Sequence, residues 1–118
     1  MKVKSFLPCS IALLSLSGCG ASDDRIVVYN VGTDDINEVS IETSAESYSG
    51  GDLKAGRSIT FDRKFIGEGS LDVSWEHKGR KYRKIGCYFA TDISTREWVI
   101  IKGKAIAISC DKNIWHAK

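Results

Sequence analysis

The stretch Leu71-Asp72-Val73-Ser74-Trp75-Glu76-His77-Lys78-Gly79-Arg80 decides how this chain folds. Leu71, Val73 and Trp75 alternate with Asp72, Ser74 and Glu76, a period of two that puts apolar side chains on one face of a strand and polar ones on the other. Gly79 supplies the positive φ that a tight turn requires, so the chain reverses there into a second strand. Working outward, Val39, Ile41 and Thr43 alternate with Glu38, Ser40 and Glu42. Residues 26–31 form a continuous β-branched and aromatic run, and Ile59 and Phe61 mark a strand after the turn at Gly56. Residues 82–89, 98–102 and 105–110 follow, the last two joined by a second turn at Lys102-Gly103-Lys104. Residues 44–51 are a tract rich in Ser and Gly, with no strand pattern singled out in it. No helical stripe occurs, and about seven short strands predict an all-β fold, an antiparallel sandwich or small barrel.

The chain has 118 residues, 42% of them hydrophobic and 27% charged, which suits one domain with a modest core and excludes a disordered chain. Its first residues are not part of that core. Lys2 and Lys4 precede an apolar run over residues 6–16, then Ser17, Gly18 and Cys19, the layout of a secretory signal peptide. The run is about half the length needed to span a bilayer and contains Pro8, which disfavours a permanent span. Leu16-Ser17-Gly18-Cys19 resembles the lipobox of bacterial lipoproteins. That resemblance implies cleavage before Cys19 and acyl chains on it. Small residues at 17 and 18 suit a narrow protease site, and only Cys offers a thiol for alkylation. The expected organisation is a signal peptide over 1–18, a lipid anchor and short tether over 19–24, a β-sandwich over 25–112 and a tail over 113–118. Gly20 stands where an Asp would resemble an inner-membrane retention signal, so a Gram-negative host would place the protein at the outer membrane.

Removing residues 1–18 leaves 100 residues and equal numbers of basic and acidic side chains, fifteen of each. The slight basicity of the precursor therefore belongs to the export signal, and with export it makes a nucleic-acid partner unexpected. Charge is unevenly spread: residues 19–56 carry eight acidic and two basic residues, whereas residues 57–118 carry thirteen basic and seven acidic. Interleaved strands would turn this asymmetry into cross-strand pairs. Segregated strands would instead give an acidic and a basic surface and orient the domain over an anionic membrane.

Cys9 is lost with the signal and Cys19 is consumed by lipid, so Cys87 and Cys110 remain and predict one disulfide in an exported domain. Parity agrees: Ile85, Cys87 and Phe89 share one strand face, and Ile106, Ile108 and Cys110 share another, so both sulfurs can enter one core. The same phase would point Lys81 and Arg83 inward, which requires them to snorkel or a bulge near Gly86 to rephase the strand. Ala105 and Ala107, on the opposite face, suit a covered segment or an interface.

Val31-Gly32, Val39-Ser40-Ile41, the turn Gly50-Gly51-Asp52-Leu53-Lys54-Ala55-Gly56-Arg57-Ser58, Gly69-Ser70-Leu71-Asp72-Val73-Ser74-Trp75 and the later Cys87-Tyr88-Phe89 resemble small bacterial lipoproteins. The resemblance implies an immunoglobulin-like or transthyretin-like β-sandwich and supplies no catalytic residues. No paired carboxylates, nucleophile–base pair or phosphate loop stands out, so no enzyme, metal or cofactor is expected. His77 and His116 read as surface residues, and Asp34-Asp35 as a turn. The densest charge feature is Lys78, Arg80, Lys81, Arg83 and Lys84 around Tyr82. It suits either an anionic lipid surface or acidic partner, or a solvated hairpin that resists edge pairing. The expectation is a membrane-anchored, non-catalytic envelope lipoprotein that binds an envelope protein or an anionic lipid surface. The alternative is a lipid-anchored inhibitor or immunity protein against a hydrolase or toxin, although the Ser-Gly-x-x-Tyr type loop of lipid-anchored lysozyme inhibitors is absent.

Overall fold

Period-two patterning becomes eight strands in the computed structural model, which describes residues 23–113. In chain order they are β1 (Asp24–Asn30), β2 (Ile36–Glu42), β3 (Ser47–Leu53), β4 (Ser58–Arg63), β5 (Glu68–His77), β6 (Arg80–Ala90), β7 (Ser94–Lys102) and β8 (Ala105–Asn113). They form two four-stranded sheets, β4-β1-β7-β8 and β3-β2-β5-β6. Ile26, Val28, Val99 and Ile101 from the first meet Val39, Ile41, Leu71, Val73 and Trp75 from the second in one buried core, so the chain is an all-β sandwich. Phe65, 1% exposed, closes one end with its ring edge-on to Tyr48 and Phe89.

Both expected turns form. Lys78 and Gly79 have φ of 52° and 78°, the two positive values of a type I′ hairpin between β5 and β6. Gly103, at 62°, opens the β7–β8 turn. All pairings are antiparallel except β1 with β7, which run parallel. Hairpin closure forces antiparallel neighbours, but β1 and β7 are separated by five intervening strands and are free of that constraint.

The eighth strand lies in the tract rich in Ser and Gly, where the sequence singles out no strand. β3 carries Ser47-Tyr48-Ser49-Gly50-Gly51-Asp52-Leu53, and its glycines serve packing. A Cβ on Gly50 would come within 2.7 Å of both Ile59 and Phe61 on β4, so any larger residue there would have to displace those side chains. Ile85 is also a correction, being 72% exposed rather than inward. Leu71 pairs with Cys87 but Val73 with Lys84, so the extra residue of a bulge at Ile85-Gly86 rephases β6. That bulge, not snorkelling, turns Lys81 and Arg83 outward while Cys87 stays buried.

The Cys87–Cys110 disulfide is present, with a Cα–Cα distance of 5.7 Å across 23 residues. It joins β6 to β8, each an edge strand of its own sheet, and so closes one open side of the sandwich. Cys87 is 2% exposed, whereas Cys110 lies at the exposed rim. The domain begins one residue earlier than expected, because Asp24, assigned to the tether, is the fully buried first residue of β1. At the other end β8 takes in Asn113, the first residue assigned to the tail. Residues 1–22 and 114–118, including the lipobox, Cys19 and His116, lie outside the described residues.

Candidate functional site

The polar alternates of β2 and β5 face away from the core, and because those strands are neighbours their side chains meet. The Ser40 and Ser74 hydroxyls lie 2.6 Å apart, and both approach Glu42 Oε2, at 3.4 and 3.3 Å. Arg83 on β6 donates to Glu42 at 2.9 Å and to Asp72 at 2.8 Å, so one guanidinium ties three strands together. Lys81 reaches Glu38 at 3.0 Å across the same face. Glu38, Ser40, Glu42, Ser74 and Lys81, with Ser47, Ser49 and Glu76, border a half-open cavity of about 220 Å³, and Arg83 and Asp72 brace Glu42 from beside it. Trp75 and Tyr82 also border it, while their rings stack on the core side of the sheet with centroids 5.5 Å apart.

The charges of this groove are fixed by one another. Burial alone would raise the Asp72 carboxyl, but the Arg83 guanidinium, the Ser70 hydroxyl and the Gly86 N–H together hold it below the usual carboxylate range. The Glu38 carboxylate holds the Lys81 ammonium above its ordinary value. On the adjoining loop, His77 and then Lys78 lower Asp34. The His77 Nε2 lies 3.1 Å from Asp34, and its side chain is only 14% exposed, so His77 is a packed residue and not the surface one expected.

The basic hairpin is thereby split. Lys78 pairs with Asp34, Lys81 with Glu38, and Arg83 with Glu42 and Asp72, while Tyr82 turns inward onto Trp75. Among the described residues only Arg80 and Lys84 of the six lack an ion-pair or ring partner, and they do not share a face with Lys81 and Arg83. Nothing in the patterning of the hairpin alone could show this, since the neutralising carboxylates lie on β2 and on the β1–β2 loop.

Two further carboxyls are buried. Asp24 accepts the Thr95 and Phe65 N–H groups at 2.8 and 3.1 Å, with the Lys64 ammonium 3.7 Å away, and thus pins the start of β1. Glu97 on β7 is fully buried and crosses between sheets to accept the Cys87 N–H at 2.9 Å. Burial and the nearby Asp72 charge, against that one hydrogen bond, push its carboxyl up to about 7. Its Oε2 has no hydrogen-bond partner among the described residues. Parity with Val99 and Ile101 would have placed Glu97 inward, but the strand as read from sequence begins one residue too late to include it.

Among the described residues no group of three or more His, Cys, Asp or Glu is placed to hold a metal ion, and no helix is long and apolar enough to cross a membrane. Fold and site define a disulfide-closed, all-β sandwich with a hydroxyl- and carboxylate-lined groove on one sheet face. Comparisons with protein-family models, curated proteins and solved structures give no match for this chain.

Proposed function

We propose that this protein is a lipid-anchored, non-catalytic binding module of the cell envelope, held to the membrane by acyl chains on Cys19 and recognising a polar protein partner through the groove. The observation that carries the binding reading is the Glu42–Arg83–Asp72 linkage, which fixes the groove before any partner arrives. Preorganised polar groups recognise a ligand without the ordering cost that mobile side chains incur. Glu38, Glu42 and Glu76 outnumber the cations at its border, so this face suits a protein with complementary donors better than an anionic lipid surface. In a Gram-negative host the absence of Asp after Cys19 favours the outer membrane.

Two measurements test the proposal. Intact mass of protein extracted from membranes is expected to show an N-terminus at Cys19 bearing acyl chains, and an unmodified Cys19 thiol overturns the anchor. In-cell crosslinking from a photoreactive residue at Ser49 in the groove is expected to give a discrete protein adduct, while the same residue at Asp92, on a distant loop, gives none. Equal adducts from both positions overturn the groove.

A further inference from the structure

The outward face of the other sheet has a different chemistry. On β7, Trp98 and Ile100 point away from the core, flanked by Arg96 and Lys102 on the same face. The parallel neighbour β1 sets Val27 beside Trp98 and Tyr29 beside Ile100. On the other side β8 sets Ala107 beside Ile100. Adjacent strands lie about 4.8 Å apart, so these side chains form one continuous apolar surface. Ile100 is 45% exposed and Tyr29 39%, while Val27 and Trp98 beside them are half-buried. Isolated exposed apolar residues are ordinary, but a contiguous set across three strands marks a surface that docks.

We propose that this face lies on the membrane interface, with Trp98, Ile100 and Tyr29 seated at headgroup depth, an inference that rests on the lipid anchor at Cys19. Three observations select lipid as the occupant. Five residue steps separate Cys19 from Asp24, a reach of less than about 20 Å, so the anchor holds the domain against the bilayer. Asp24 begins β1, a central strand of this sheet, so the tether delivers this layer to the membrane. Trp and Tyr favour the membrane–water boundary, and Arg96 and Lys102, without ion-pair partners among the described residues, are placed to meet phosphates there. The opposite outer face, lined by Ser40, Ser74, Glu42 and Arg83, is thereby turned away from the bilayer and presented to a partner.

The test uses the full lipidated protein reconstituted into phosphatidylethanolamine–phosphatidylglycerol vesicles whose acyl chains carry bromine near the headgroup. Trp115→Phe removes the indole of the C-terminal segment, leaving Trp98 on the face and Trp75 in the core. Emission is expected to be quenched in the Trp98-containing protein, and the quenching to be lost in Trp98→Phe. Ile100→Glu is expected to lower the quenching while the protein still floats with the vesicles and keeps its disulfide. Flotation with equal quenching in the protein and in Trp98→Phe overturns the face but leaves the anchor intact. Failure to float overturns the anchor and the face together. A dimer in detergent that Ile100→Glu dissociates, with Trp98 unquenched in vesicles, assigns the face to a second copy and overturns the proposal.

Discussion

At Glu97 a single carboxyl gives the sandwich a pH response between the acid and neutral ranges. Its value rises from 4.5 in an exposed chain to about 7 in the fold, so the folded state binds the extra proton between those limits. Its contribution is therefore complete below pH 4.5 and is lost as pH rises towards 7. The loss amounts to about 3 kcal/mol for a shift of this size. Asp72 acts in the opposite sense: its depressed value gives stability present above 3.8 and lost as pH falls below that, so the two windows do not overlap. Denaturant midpoints are expected to fall between pH 4.5 and 7, and Glu97→Gln, which keeps the shape but cannot ionise, to flatten that limb. An unchanged slope in Glu97→Gln removes Glu97 as the cause. Gly86 stands beside it as a steric counterpart. A Cβ there would sit 1.9 Å from the Leu71 carbonyl oxygen and 2.7 Å from Glu97 Oε2. Gly86→Ala is expected to cost about 3 kcal/mol, the upper end for an overpacked site, measured by the same unfolding curves.

Strands with clean alternation were legible in the sequence because one wet face and one dry face give a period that survives without any knowledge of neighbours. β5 and its turn at Lys78-Gly79 are the clearest case, and the Cys87–Cys110 pairing followed from counting the cysteines left once Cys9 and Cys19 are set aside, with strand parity in agreement. β3 was not legible: Gly50 is there because β4 packs against it, and a long-range contact leaves no local pattern. The bulge in β6 was visible only as a conflict between Cys87 and Lys81, and the structure resolves that conflict at Ile85-Gly86. The groove was half legible, since Ser40, Glu42, Ser74 and Asp72 read as wet alternates, but their meeting depends on β2 pairing with β5. At this scale the disulfide makes its own prediction. β6 and β8 are edge strands with one neighbour each, so the bond between them supplements their pairing to β5 and β7. The double substitution Cys87→Ala with Cys110→Ala is expected to cost about 3 kcal/mol by loop entropy. Amide exchange is expected to accelerate first along β6 and β8, while β1 and β5, central in their sheets, keep their protection. Uniform acceleration across all strands would show instead that the bond constrains only the unfolded chain.

Across the molecule, the acidic segment 19–56 and the basic segment 57–118 do not form two opposed surfaces. Asp24, Asp34, Glu38 and Glu42 from the acidic segment pair with Lys64, Lys78, Lys81 and Arg83 from the basic one. Sheet topology does this, because each sheet draws strands from both halves of the chain. The consequence is electrostatic cohesion at short range with little long-range field. In the pairs that Lys78 and Lys81 make with Asp34 and Glu38, both side chains are at least 49% exposed, so each contributes little and is screened by salt. The buried carboxyls Asp24 and Glu97 lie beyond that screening. Raising salt from about 0.1 M to about 1 M is therefore expected to lower stability only slightly. Arg83→Gln is expected to lower stability, since it leaves Asp72 and Glu42 without their shared donor. It is also expected to move the acid limb of the stability curve to higher pH as Asp72 returns towards 3.8. Unfolding curves of both proteins at low and high salt check this. An Arg83→Gln acid limb that coincides with that of the unsubstituted protein would mean that the Gly86 N–H and Ser70 hydroxyl, rather than the guanidinium, hold Asp72 ionised.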